Sequence, residues 1–114
     1  MQMESAAGLV KINPGCEPLV DDWRSTIEQR CEEAIETLRG EGVVIESWFR
    51  IEIEGHPYLL WSMRAESIKR AWEIARQSSH EIDAFHFETM SKIAYSQIEA
   101  VPLLDFYSDK SNLA

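Results

Sequence analysis

The sequence predicts a single α+β domain in which helices cover one face of an antiparallel sheet. Three observations support this fold class: a long stretch with helical spacing, a hairpin-like pair of segments, and the order of the elements. The chain has 114 residues, of which 45% are hydrophobic and 27% are charged. These values are close to those of an average globular domain, so one core is expected without disulfides or metal. We expect the domain to span residues 1–114, with flexible ends at Met1–Ala7 and Asp109–Ala114.

The first predicted elements are a short strand and a long helix. Gly8–Asn13 is predicted to be a strand with Val10 and Ile12 on one face, and the Asn-Pro-Gly sequence that ends it predicts a turn. From Pro18 to Gly40 apolar residues recur every three or four positions, which predicts one amphipathic helix. Its apolar stripe consists of Val20, Trp23, Ile27, Cys31, Ala34 and Leu38.

A β-hairpin is predicted in the middle of the chain. Val43–Ile53 alternates in character, and Tyr58–Met63 returns across a turn at residues 54–57. One face of the first strand carries Val43, Ile45, Phe49 and Ile51, and the other carries Glu46, Trp48, Arg50 and Glu52. The turn length decides which residues of the second strand lie beside Trp48. An even number of turn residues places Leu59, Trp61 and Met63 there, and an odd number places Tyr58, Leu60 and Ser62 there.

Two more helices and a last strand are predicted in the second half of the chain. A helical stretch begins near Ser67 and breaks before Ser78. Ser78 and Glu81 have the spacing of a capping box, so a third helix is expected to start there. Ile98–Tyr107 is rich in apolar residues and is predicted to be the last strand. Pro102 inside it lacks an N–H, which favours an edge position or a bulge.

This order of elements is the split βαβ arrangement of ferredoxin-like folds, with one extra helix before the last strand. Right-handed crossovers then predict a four-stranded antiparallel sheet with helices on one face only. The residues assigned to the helix-free face of the second strand are Glu46, Trp48, Arg50 and Glu52. Because a tryptophan among charges is unusual on a solvated face, we expect a second copy of the chain to cover it and predict a homodimer.

The composition excludes several classes of partner. Twenty acidic and 11 basic residues give a formal charge of −9, which repels phosphate, so nucleic acid and anionic membranes are not expected as partners. No apolar leader precedes the two cysteines, Cys16 and Cys31, which favours a cytoplasmic protein with reduced thiols. Phosphate-loop, dinucleotide-binding, nucleophile-elbow and zinc motifs are missing, so neither a metal nor a cofactor is expected.

Four segments resemble a small bacterial family of unknown function: KINPGC at 11–16, EGVVIESWF at 41–49, YLLWSMRAES at 58–67 and HEIDAFH at 80–86. The organisation of the chain is similar to the dimeric α+β barrel superfamily. That superfamily includes small monooxygenases, sugar mutarotases, haem-degrading proteins and stress-response proteins. The resemblance implies a ferredoxin-like fold and a dimer, and it carries over no reaction because none of the catalytic motifs of those groups matches here.

Candidate ligand-binding residues lie in the hairpin. Trp48, Arg50 and Trp61 are expected to line a cavity inside the dimer barrel, where the arginine would hold a carboxylate or enolate and the rings an apolar body. Arg64 is a second candidate for holding an anion. The alternative is that these residues only pack at an interface, with Arg50 paired to Glu46 or to Glu52.

His80, Asp83 and His86 are the candidate catalytic residues. On a helix, Asp83 neighbours both histidines and could orient an imidazole for proton transfer. The histidines are six positions apart, so one helix cannot clamp a metal with both. The alternative is a helix N-terminus with surface histidines. Cys16 precedes a helix and could be activated, although nearby acids favour an ordinary loop cysteine, and Cys31 is expected in the core.

Two functions remain open from the sequence. In the first, a homodimer binds a small organic molecule in a sheet-lined cavity, as a cofactor-free oxygenase or isomerase would. In the second, the chain is a non-catalytic interaction or regulatory module whose aromatic sheet face serves only dimerisation. A cavity behind Trp48 and Arg50 would favour the first function, and an interface filled by side chains would favour the second.

Overall fold

A computed structural model describes residues 3–106 and confirms the predicted α+β class. Its elements are β1 (Glu4–Ile12), α1 (Glu17–Gln29), α2 (Cys31–Glu41), β2 (Val43–Ile53), β3 (His56–Ala65), α3 (Ile68–Arg76), α4 (Glu81–Ile93) and β4 (Ala94–Glu99). The sheet has the order β2-β3-β1-β4, and all neighbouring strands are antiparallel. This is the ferredoxin-like topology, with β2 and β4 at open edges. None of the helices in residues 3–106 is both long enough and apolar enough to cross a membrane.

The β2–β3 hairpin has a turn of two residues. Glu54 and Gly55 have φ values of 51° and 80°, and Ile53 pairs directly with His56. Positive φ at both turn residues is typical of the type I′ turns that join antiparallel strands. The turn is therefore even, and Trp48 pairs with Trp61 as that case predicts.

The prediction that Trp48 and Arg50 lie on the helix-free face is wrong. Trp48 lies beneath the helices, where its ring centroid is 5.1 Å from that of Trp23 in α1. A β-bulge between Val43 and Ile45 changes the register, so Val43 is buried on the helix side while Ile45 lies on the opposite face. Alternation shows which residues share a face but does not show which face the helices cover.

The helix predicted over Pro18–Gly40 is two helices. The chain breaks at Arg30, which has φ −113° and whose N–H bonds to the carbonyls of Thr26 and Ile27. The break shifts the helical phase, and Cys31 is exposed instead of lying in the core. Gly42, at φ 74°, then ends α2 in the left-handed conformation that favours glycine.

The first and last strands of the chain start earlier than predicted. β1 begins at Glu4, inside the end predicted to be flexible, and β4 covers Ala94–Glu99, so Pro102 follows the strand. The start of β4 is held by Asn13, whose side chain donates to the carbonyls of Lys92 and Ala94. Tyr107, predicted to end the last strand, and the tail at Asp109–Ala114 lie outside the described residues. α3 and α4 form as separate helices, as predicted.

Two small hydrophobic cores lie between the helices and the sheet. α1 packs on α4, and α2 packs on α3. The first core contains Val10, Ile12, Val20, Trp23, Leu59, Met90 and Ile93, and the second contains Val43, Met63, Ala65 and Ala71. Trp61 packs against both cores, which places it where the two pairs of helices separate.

Candidate functional site

A cavity of about 1230 Å³ lies between the sheet and the helices of one chain and opens to solvent. Its lining includes all four tryptophans of the sequence, Trp23, Trp48, Trp61 and Trp72. We call it the tryptophan pocket. The sequence predicts a chamber shared between subunits on the helix-free face. The placement of Trp48 and Trp61 in that prediction is wrong, because the chain's own helices cover both residues and the cavity that they line lies on the helix side of the sheet.

Gly8 makes space for the floor of the pocket. It pairs with Trp61 across β1 and β3, and Trp61 pairs with Trp48 across β3 and β2. A Cβ atom at Gly8 would lie 2.9 Å from the Trp61 ring, which is closer than packed atoms approach. The missing side chain therefore lets the Trp61 indole approach the backbone of β1 closely.

The indole rings form a continuous aromatic chain. Centroid separations are 5.1 Å from Trp23 to Trp48, 6.4 Å from Trp48 to Trp61 and 6.4 Å from Trp61 to Trp72. Trp23 and Trp72 meet their neighbours edge to face, at interplanar angles of 72°. Such rings offer large apolar faces to a ligand and hold their geometry through favourable ring contacts.

His86 of α4 enters this aromatic chain with a defined tautomer. The indole N–H of Trp23 donates to His86 Nδ1 over 3.0 Å, so Nδ1 is an acceptor and the proton of the neutral ring lies on Nε2. Burial lowers the pKa of His86, and the negative charge of Asp83 opposes this only in part. His86 is thus a neutral imidazole with its proton on Nε2, and its ring centroid lies 5.7 Å from that of Trp48.

The structure does not bring His80, Asp83 and His86 together as one group. His80 is exposed at the start of α4, whereas Asp83 and His86 both line the pocket. Asp83 accepts a hydrogen bond of 2.5 Å from the Ser78 hydroxyl, which in turn accepts from the His80 N–H. The predicted capping box of Ser78 and Glu81 is therefore wrong: His80 is the N-cap of α4, no side-chain hydrogen bond caps it, and the Ser78 hydroxyl bonds to Asp83 instead. Within residues 3–106, no three His, Cys, Asp or Glu side chains are placed to hold a metal.

Two glutamates that line the pocket also have shifted pKa values. Burial raises the pKa of Glu46 although it keeps solvent contact, and the Trp48 indole, which donates to it over 3.4 Å, opposes that shift. Burial, with the nearby charges of Asp83 and Glu46, raises the pKa of Glu41 to about 7. Sequence reasoning missed both as functional candidates. The signal available for Glu46 was its place beside Trp48 in the strand alternation.

The two predicted anion-holding arginines are already paired. Arg50 lines the pocket, and its guanidinium forms an ion pair of 2.9 Å with Asp21. The pairing predicted with Glu46 or Glu52 is therefore wrong. Arg64 lies on the helix-free face and pairs with Asp105.

The remaining predicted candidates lie outside the pocket or serve as structural groups. The Cys16 thiol, which precedes α1, donates to the Lys92 carbonyl over 3.6 Å. His56 is exposed at the hairpin turn.

Replacing Glu41 by glutamine is expected to flatten the pH dependence of stability. The folded pKa of about 7 exceeds the ordinary glutamate pKa of 4.5, so Glu41 stabilises the fold fully below pH 4.5 and loses that contribution as the pH rises through 7. Because the carboxyl is partly exposed, we expect E41Q to raise the free energy of unfolding by about 1 kcal/mol at pH 8. Urea denaturation at pH 4.5, 6 and 8 measures this.

The matched control for this substitution is E36Q, on an exposed glutamate of the same helix. It should leave the pH profile unchanged. An E41Q variant that loses stability between pH 4.5 and 8 as steeply as the unmodified chain would contradict the expectation.

Similarity to one solved structure supports the fold. A dimeric ferredoxin-like protein from an uncultured marine organism superposes with a TM-score of 0.62 at 11% identity, covering 92% of this chain and 91% of that chain. A Bacillus cereus protein whose name relates it to antibiotic biosynthesis monooxygenases gives 0.48 at 16% identity, covering 96% and 99%. A Nitrosomonas europaea protein of unknown function gives 0.46 at 11% identity, covering 93% and 95%.

Comparison with curated proteins finds no match. A family model does match: residues 3–109, nearly the whole chain, fit the model described as a family of unknown function, DUF6176. This agrees with the resemblance seen in the four sequence segments. The chain belongs to the DUF6176 family.

Proposed function

We propose that each chain binds a small aromatic molecule in the tryptophan pocket and moves a proton on it, as a cofactor-free oxygenase or isomerase does. The observation that carries this proposal is the arrangement around Trp48. His86, a neutral imidazole with a fixed tautomer, contacts this ring, and so does Glu46, a carboxyl group with a raised pKa. Acid–base catalysis needs groups whose pKa lies near the working pH, and perturbed pKa values are concentrated at functional sites.

The chemistry that fits these groups is proton removal from carbon. An ionised Glu46 or Glu41 accepts a proton from a C–H beside a carbonyl or phenolic oxygen. The Nε2–H of His86 donates to the oxygen on which negative charge develops. The resulting carbanion takes up a proton at another carbon in an isomerase, or combines with dioxygen in an oxygenase. In either case the aromatic rings hold the ligand and keep water away from it.

The charges of the pocket favour a neutral or cationic ligand over an anionic one. The negative charges of Asp83 and Glu46 raise the pKa of Glu41, and the charge of Asp83 also raises the pKa of Glu46. The positive charge of Arg50 is already offset by Asp21. Indole faces also attract cations, which adds to the preference for a cationic ligand. The anion-binding role expected for Arg50 from the sequence is therefore not part of this proposal.

We also propose that the protein is a homodimer whose two chains pair through their helix-free faces. The apolar strand residues on this face are Leu9, Ile45, Phe49, Ile51, Ile53, Leu60 and Ile98. Lys11 and Arg64 are cationic, whereas none of the chain's 20 acids falls on this face of strands β1 to β4. Depletion of charge around apolar residues is typical of interface cores. Two copies of a chain of charge −9 can therefore bring these strands together without acidic strand residues facing each other.

Calorimetric titration with three naphthalene probes of matched shape tests ligand binding: 2-naphthylmethylamine, 2-naphthylmethanol and 2-naphthoate. We expect the cationic and neutral probes to bind at least about tenfold more tightly than the anion, because of the carboxyl groups in the pocket. W48A should weaken binding about tenfold or more, since it removes the central ring.

The control is Y95A, which removes an exposed aromatic side chain outside the tryptophan pocket and should change nothing. If all three probes fail to bind, or bind equally well to W48A, the pocket is packing space. The alternative function, a module whose sheet face serves only assembly, would then be favoured.

A further inference from the structure

The residues after β4 project apolar side chains into solvent. The Ala100 N–H still bonds to the Ala7 carbonyl over 2.9 Å, which continues the β1–β4 pairing by one residue. We call the following segment, Val101–Phe106, the arm. Four of its six side chains are large and apolar, with exposed fractions of 81% for Val101, 90% for Leu103, 78% for Leu104 and 81% for Phe106. Six residues with this composition are not expected to remain in water.

An ion pair places the arm on the helix-free side of the sheet. Asp105 pairs with Arg64 of β3. Arg64 lies between Met63 and Ala65, which are both buried on the helix side, so its own side chain faces the opposite way. The arm therefore crosses from the edge strand β4 past β1 towards β3, over the face that carries Phe49 and Leu60.

We infer that in the dimer each arm crosses to the other subunit and packs on its helix-free face. This rests on the proposed homodimer and adds the segment that holds it together. Although the arm lies on this side, its four large apolar side chains stay exposed, and so do Phe49 and Ile98 of the face. Because a two-fold interface is reciprocal, one exchange covers both surfaces on both subunits.

The charges of the chain favour a second copy over other occupants. A membrane surface would have to accept a chain of charge −9 with Asp105 in the middle of the arm. A second copy needs no new chemistry, because an arginine–aspartate pair can form between subunits as readily as within one. The apolar strand residues and the apolar arm residues are then buried by the same contact.

Sedimentation of the full chain with two arm substitutions, L103D and L104D together, tests the contribution of the arm. We expect the dimer dissociation constant to rise about 100-fold, because losing each of the two leucines from the interface should weaken the dimer about tenfold. The matched control is I35D, an equally drastic change on an exposed apolar residue of α2. It should leave the constant within about twofold, because α2 lies on the other side of the sheet.

An isotope-filtered NMR experiment tests the exchange itself. A chain with labelled leucine methyls is mixed with unlabelled chain, and contacts are observed only between the two. We expect contacts from the Leu103 and Leu104 methyls to the rings of Phe49 and Tyr58 across subunits. A monomeric unmodified chain would overturn both the dimer and the exchange. A dimer that the arm substitutions leave intact, or whose arm contacts occur only within one chain, would overturn the exchange alone.

Discussion

Replacing Gly8 by valine is expected to lower the free energy of unfolding by about 2 to 3 kcal/mol and to displace Trp61 from the pocket floor. A Cβ at this position would lie 2.8 Å from the Ile98 carbonyl oxygen and 2.9 Å from Nε1 and Cζ2 of the Trp61 indole. The indole can rotate away, but the carbonyl belongs to the backbone of β4. The better strand propensity of valine offsets only part of this strain, because propensity differences span about 1 kcal/mol.

Urea denaturation measures the loss of stability, and binding of 2-naphthylmethanol measures the loss of the pocket floor. The control is G40A, at a helical glycine where a Cβ would meet no atom within 4 Å. It should stabilise the chain by up to about 1 kcal/mol, because alanine is the better helix former. A G8V variant as stable as the unmodified chain would show that the Trp61 ring does not lie against Gly8.

Local periodicity predicts the strand pairing of this fold but not the side of the sheet that the helices cover. The alternation in β2 and the even turn at Glu54 and Gly55 suffice to place Trp48 beside Trp61. They cannot show that this side faces the helices, because that depends on the bulge at Val43–Ile45 and on where the helices dock. The same limit explains why Cys31 was wrongly placed in the core. The apolar spacing continues through Arg30, but the helix breaks there.

The titratable groups of the pocket depend on contacts that are distant in sequence. His86 receives its hydrogen bond from Trp23, 63 residues away, and nothing in the local pattern of α4 indicates that partner. Glu41 ends α2, and its raised pKa comes from burial and from charges on β2 and α4. Burial and electrostatic coupling arise only when the elements pack, so the sequence predicted His86 as a candidate but not its neutral form.

Replacing His86 by alanine is expected to reduce proton transfer in the pocket by about 100-fold or more, the lower range of what a positioned acid or base contributes. The probe is 2-tetralone, a neutral aromatic ketone with acidic C–H groups. NMR in D2O follows the exchange of its C1 protons, and an oxygen electrode shows whether dioxygen is consumed, which separates oxygenase from isomerase. E46Q should reduce the exchange at least about tenfold, since the amide cannot accept the proton.

Two further variants separate catalysis by His86 from packing. H56A removes an exposed histidine at the hairpin turn and should leave the exchange rate unchanged. W23F keeps an aromatic ring but removes the N–H that donates to Nδ1, so the histidine pKa measured by NMR should rise, because that hydrogen bond favours the neutral ring. Exchange should then fall by less than in H86A, since the imidazole remains but its tautomer is no longer held. If H86A exchanges protons as fast as the unmodified chain, His86 serves only to pack Trp23 and Trp48, and proton transfer in the pocket must be assigned to the carboxyl groups alone.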